Sequence, residues 1–124
     1  MTDLSGKWAL SGETLGPDGA KLYDWSADVT IAQSGEEIRV VTETSGVKET
    51  RSLSFAEKLV RKPSGELHLR YGYELDPDHP VAQTREFYGL AELTFAPDGK
   101  SATGSSCNKN PERYVIARLS LTRA

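Results

Sequence analysis

Three arginines, Arg51, Arg85 and Arg113, stand in a chain whose aromatic and hydrogen-bonding residues include Tyr23, Trp25, Thr42, Tyr71, Tyr73, Ser106 and Asn108. A guanidinium is a planar fork of donors that fits a carboxylate or phosphate, and an aromatic face stacks on a planar ring or a cation. Such a set suits recognition of a small anionic molecule that contains aromatic rings. Other chemistry is poorly supplied. His68 and His79 have no third ligand at metal spacing, so they read as surface histidines and no metal site is expected. Cys107, within Ser105-Ser-Cys-Asn108, has no nearby histidine to act as its base. Neither a Gly-x-Ser-x-Gly elbow nor a phosphate-cradling glycine loop leading into a helix is present. Asp24, Asp28, Glu43, Glu74, Glu86 and Glu92 fall mainly on the phase expected to face water, which makes them a solvated surface rather than an acid–base pair. The expectation is a binding protein with no catalysis and no cofactor.

Whether those ten residues share a site depends on the elements that position them. Turn signals recur at short intervals: Gly16-Pro-Asp-Gly19, Ser34-Gly35, Ser45-Gly46, Pro63-Ser-Gly65, Asp76-Pro-Asp-His-Pro80, Pro97-Asp-Gly99 and Asn108-Lys-Asn-Pro111. Glycine supplies positive φ and proline fixes φ near −65°, so each cluster ends a regular element. The segments between them alternate with period 2, which predicts strands over roughly 4–12, 21–33, 36–44, 50–61, 66–75, 83–96, 99–107 and 113–123. The stretch Phe55-Ala-Glu-Lys-Leu-Val-Arg61 also fits a helical turn. About eight sequential strands joined by tight turns predict an all-β, antiparallel up-and-down barrel, because closure removes sheet edges that invite aggregation; a sandwich is the rival.

In such a barrel the start of an odd strand lies at the same end as the finish of an even one. With the apolar phase of each strand turned inward, one end collects Trp8, Val29, Ile31, Ile38, Val40, Leu59, Leu67, Leu69, Leu93, Phe95, Leu119 and Leu121. Leu53 and Phe55 are expected inward on the fourth strand. The other end collects Tyr23, Trp25, Thr42, Arg51, Tyr71, Tyr73, Arg85, Phe87, Ser106, Asn108 and Arg113. The arginines come from three strands yet share phase and end, which suits a nucleotide. The plainer reading is that strand-end arginines reach into water and rim tyrosines plug the barrel. One register error would flip a whole strand.

At 124 residues, with 37% hydrophobic and 27% charged residues, the chain fits a single barrel domain over 1–124 that needs no disulfide. No apolar run approaches the roughly 20 residues of a membrane-spanning helix. The formal charge of −3 gives no general field for nucleic acid or anionic membrane, so neither is expected as a partner. Met1-Thr-Asp-Leu-Ser5 lacks a secretory pattern and Cys107 is alone, which makes the cytoplasm the expected location. The oligomeric state is not legible.

Leu4-Ser-Gly-Lys-Trp8 resembles the Gly-x-Trp start of lipocalin-like (calycin) barrels. In those the tryptophan closes one end under a basic residue of the last strand, a role this resemblance gives to Arg123. The second half, roughly 67–123, resembles the β-barrel domain of bacterial CBASS two-transmembrane antiphage effectors, which senses a cyclic nucleotide. The similar pattern is Tyr71-x-Tyr73, Glu86-Phe-Tyr-Gly89, Ala91-Glu-Leu-Thr-Phe95, Asp98-Gly99, Ala102-x-Gly104, and Asn108 through Arg113. The resemblance implies ligand recognition at the open end by Tyr71, Tyr73, Arg85, Asn108 and Arg113. The membrane helices of those effectors have no counterpart here, so their effector action is not expected. A soluble sensor or sequestering protein for a cyclic di- or oligonucleotide is the leading expectation. A lipocalin-like binder of an apolar molecule and a filled barrel serving as an assembly subunit are the alternatives, with an enzyme at the barrel mouth last.

Overall fold

The computed structural model describes residues 3–44, 50–76, 78, 88–109 and 114–124. Eight strands follow in chain order: β1 Gly6–Leu15, β2 Lys21–Ser34, β3 Glu37–Thr44, β4 Thr50–Arg61, β5 Leu67–Leu75, β6 Tyr88–Phe95, β7 Ser101–Lys109 and β8 Tyr114–Arg123. Each pairs antiparallel with the next, and β8 returns to β1 to close the barrel. The expected up-and-down architecture is therefore the observed one. Among the described residues no helix is long and apolar enough to cross a membrane.

Alternation explains the strands. Along β2, β6 and β8 buried and exposed residues take turns, as a sheet with one face on a core requires. Gly16-Pro-Asp-Gly19, Pro63-Ser-Gly65 and Pro97-Asp-Gly99 reverse the chain where expected; Gly19, Gly65 and Gly99 take φ of 83°, 93° and 69°. In each of these turns the positive-φ glycine donates its N–H three residues back, to Gly16, Lys62 and Ala96 respectively. β1 runs on to Leu15 rather than stopping near residue 12, because the turn, and not Gly12, ends it.

The apolar end is sealed as the sequence suggests. Leu4, Trp8, Ile31, Leu69, Phe95 and Leu121 are all under 2% exposed. Trp8 meets Phe95 edge-on at 5.2 Å between ring centres and donates its indole N–H to the Leu4 carbonyl at 3.0 Å. The Arg123 guanidinium lies 4.3 Å from the Trp8 ring centre, and its Nε donates to the Gly99 carbonyl at 3.1 Å. The lid resemblance to lipocalin-like barrels thus has a physical basis: a cation over an indole, fixed by backbone acceptors.

β4 departs from expectation. It is a strand throughout, but Phe55 pairs with Gly72 and Lys58 with Arg70, so β4 advances three residues while β5 advances two. One residue is extra, the signature of a β-bulge, and Ala56 carries the strain at φ 53°. Downstream of the bulge Leu59 packs on the core opposite Leu69. Upstream the phase is inverted: Ser52 and Ser54 point inward, opposite Leu75 and Tyr73, while Leu53 and Phe55 point outward. Phe55 instead covers Gly72 from outside, with its ring about where a Cβ of residue 72 would lie.

Candidate functional site

The end opposite Trp8 is built from the finish of β1, β3, β5 and β7 and the start of β2, β4, β6 and β8. The lumen near it is partly filled. Tyr71 is 7% exposed and stands on β5 beside the small Ala91, its cross-strand partner on β6. Trp25 lies across Gly12 of the neighbouring strand, in space that any Cβ at residue 12 would contest. Trp25 on β2 thus takes the space that a glycine leaves open on β1, and Tyr71 belongs to the buried core cluster, so the mouth at this end is formed by the inward residues beyond Tyr71.

Around that mouth the structure brings together Trp25, Thr42, Tyr73, Ser106 and Asn108, all half-buried, above the ring of Tyr71. Tyr71 and Tyr73 are 6.4 Å apart between ring centres and tilted by 59°. Tyr23 shares their phase but is 50% exposed, a rim residue rather than a lining one. Burial pushes the Tyr71 hydroxyl well above its ordinary pKa, and Tyr73 beside it adds to the effect. Burial also raises Tyr73, partly offset by hydrogen bonds from the Ser106 and Asn108 side chains. Both phenols are neutral at physiological pH and so available as donors.

Sequence reasoning missed three polar residues at the same end. Thr14 and Ser52 are buried at 4% and 8% exposure, and Thr44 is partly buried. Thr14 escaped notice because β1 was expected to end near residue 12, and Ser52 because the bulge inverts its strand. The Thr44 hydroxyl also bonds Thr50, whose N–H donates to it at 3.1 Å.

Arg51 does not belong to the mouth. It pairs with Glu43 on the outer phase of β4, and its Nε is enclosed 3.2 Å from Asp76 Oδ2, in ion-pair contact without hydrogen-bond alignment. The Asp76 N–H donates to the Arg51 carbonyl at 2.8 Å, fixing both residues to the outer wall. Arg85, Phe87 and Arg113 lie outside the described residues, as does His79. Among the described residues the mouth is therefore uncharged: aromatic faces, hydroxyls and one carboxamide. No group of three metal-ligating side chains occurs among them either. A depression of about 480 Å³ lies elsewhere, where the outward-facing Ser11, Glu13, Asp24, Arg118 and Ser120 meet; Gly12, Gly104 and Leu119 also line it.

This combination, one sealed end and one neutral aromatic mouth, suits planar heterocycles with hydrogen-bonding edges. In comparison with known proteins, residues 1–123 match the family model described as the Cap15 cyclic dinucleotide receptor domain. No curated protein matches the chain.

Proposed function

The chain belongs to the Cap15 cyclic dinucleotide receptor domain family, and from that membership we propose that it is a non-catalytic receptor that binds a cyclic dinucleotide across the open mouth of the barrel. What supports this location is the contrast between the two ends. The Trp8 end is packed and roofed by Arg123, whereas the opposite end presents Trp25 and Tyr73 with Thr42, Ser52, Ser106 and Asn108 around them. Stacking on an aromatic face is worth about 1–3 kcal/mol per base and tolerates any base, so the hydroxyls and the Asn108 carboxamide would carry discrimination between bases. The phosphates need cations that the described part of the mouth lacks, and Arg85 and Arg113 are the residues proposed to supply them. Filling of the lumen by Tyr71 leaves little room for the deep apolar calyx of a lipocalin-like binder. Cytoplasmic action as a sensor in antiphage signalling forms part of the same proposal.

Titration calorimetry against linear and cyclic dinucleotides tests it, with tryptophan emission read in parallel. Trp8 is buried and Trp25 half-exposed, so a stacked base should quench the Trp25 component, and Trp25→Phe should abolish the quenching. Binding of linear and cyclic forms alike, or of neither, would overturn the reading.

A further inference from the structure

The ladder between β3 and β4 stops halfway down the barrel. It joins Val41 to Leu53, Thr42 to Ser52, Glu43 to Arg51 and Thr44 to Thr50, four pairs, whereas each of the other seven strand junctions runs over eight or more. Below that point residues 37–40 still pair with β2 and residues 58–61 with β5, yet no ladder pair joins the two segments to each other. The bulge at Ala56 is the physical origin, since an extra residue bends its strand away from a neighbour. The sealed half of the wall therefore has a seam, and the core shows it. Leu59 faces inward opposite Leu69 but is only partly buried, whereas Ile38, Val40 and Leu69 are all 2% exposed or less. Where the ladder stops, side chains take its place. Ser54 Oγ accepts the Val40 N–H at 2.7 Å, where a backbone carbonyl would otherwise serve, and donates to Glu57 Oε2 at 2.6 Å. Glu57 Oε1 then accepts from Arg39 of β3 at 3.0 Å. The Glu57 side chain is 9% exposed although charged, so the carboxylate is enclosed between the two strands that it holds.

We propose that the β3–β4 junction is the line along which the barrel opens, that Ser54, Glu57 and Arg39 form the latch that holds it shut, and that a ligand in the mouth clamps the same junction from its other end. The junction is the shortest in the closed sheet, so it is the one whose loss breaks the fewest backbone hydrogen bonds. Breaking the latch frees the Val40 N–H, admits water to Ile38 and Val40, and leaves only the four ladder pairs to part. Those pairs carry the mouth: Thr42 stands on β3 and its cross-strand partner Ser52 on β4. A ligand that engages both hydroxyls bridges the junction and must be released before it opens, so binding and latching favour each other by thermodynamic reciprocity. The clamp rests on the mouth being the cyclic dinucleotide site; the latch does not.

Native-state hydrogen exchange on the full, ligand-free chain, read amide by amide by NMR, tests the latch. Val40 and Thr42 should exchange through an opening that leaves the amides of β6 and β7 protected. Ser54→Ala and Glu57→Gln should each speed exchange at Val40 and Thr42 by about tenfold or more, the equivalent of losing one hydrogen bond to a charged group. The double variant should be little faster than the faster single one, because both changes break one relay. Arg123→Ala loosens the clasp at the β1–β8 side, which survives the opening, and should speed β6 and β7 while leaving Val40 and Thr42 unchanged. Should Ser54→Ala fail to fold, Arg39→Ala, which removes the exposed partner of the relay, carries the same comparison. Saturating cyclic dinucleotide should then slow Val40 and Thr42 as much as β6 and β7. Val40 and Thr42 exchanging only together with β6 and β7, or ignoring both latch variants, would overturn the latch. Calorimetric binding without any slowing at Val40 and Thr42 would overturn the clamp, whereas absence of binding would overturn the ligand reading and leave the latch to the ligand-free comparison.

Discussion

The indole of Trp25 lies over Gly12 so closely that a Cβ added to residue 12 would stand 2.2 Å from its ring. The two residues are cross-strand partners on β2 and β1, and the missing side chain of one makes the seat for the other. Gly12→Ala should therefore expel the indole toward the mouth rather than merely stiffen β1. We expect a loss of about 1–3 kcal/mol, the usual cost of overpacking. A red shift of tryptophan emission in the ligand-free protein should accompany it, and an unchanged spectrum would show that the wall, and not Trp25, yields.

Trp8 belongs to the sealed end, where it touches Phe95 and is roofed by Arg123. Trp8→Ala should cost roughly 3–5 kcal/mol of stability, the range for truncating a buried aromatic. Where the variant stays folded it should still bind ligand, since the mouth is built from the other strand ends. A normal melting midpoint with lost binding would exchange the roles of the two ends.

The bulge in β4 has its own chemistry. Ser54 Oγ accepts the Val40 N–H at 2.7 Å and donates to Glu57 Oε2 at 2.6 Å, and Glu57 Oε1 meets Arg39 at 3.0 Å. Burial pushes the Glu57 carboxyl up, but the bonds from Ser54, its own backbone N–H and Arg39 outweigh it, and the net direction is down. A carboxyl lowered on folding stabilises the folded state above its unfolded value of about 4.3, and that contribution fades as pH falls through the folded value. Glu57→Gln should therefore lower the melting midpoint at neutral pH and flatten the acid limb of stability below that value. Equal pH profiles for the variant and the wild type would remove Glu57 from the account.

These residues also show how far the sequence could be read. Period-2 alternation and turn chemistry predict eight strands and the closed barrel, because both signals are local and each strand has one wet face. The pairing of Trp8 with Arg123 was legible only through the resemblance of Leu4-Ser-Gly-Lys-Trp8 to the start of lipocalin-like barrels, and the closed sheet, which sets β8 beside β1, brings the two together. The mouth is harder, since its membership depends on phase at strand ends, where a single extra residue inverts everything upstream. Nothing in Arg51 through Arg61 marks Ala56 as a left-handed residue; alanine there is uncommon, and a helical turn was the only hint of irregularity. The three-arginine coincidence depended on that phase and fails at Arg51. The smaller polar residues Thr14 and Ser52 give no signal of their own, because hydroxyls alone are not periodic.

Arg51, Arg85 and Arg113 can now be separated by experiment. Arg51 is turned to the outer wall and engaged by Asp76, so Arg51→Ala should leave nucleotide affinity within error. Its effect on stability should be small, because the pair is 40% exposed on the arginine side and exposed pairs contribute under about 1 kcal/mol. If Arg85 and Arg113 supply the cations that the neutral part of the mouth lacks, replacing either by alanine should weaken cyclic-dinucleotide binding by about 1.5–3 kcal/mol, the range for a hydrogen bond to a charged group. The melting midpoint should barely move if these arginines serve the ligand rather than the fold. Raising the salt concentration should narrow the gap between wild type and Arg85→Ala, since a screened phosphate gains less from a nearby cation. Calorimetry on the three single variants decides the matter. If Arg51→Ala alone abolishes binding, the ligand sits on the outer wall near Asp76; if all three retain full affinity, the phosphates are held by backbone or hydroxyl donors and the arginines have no part in the site.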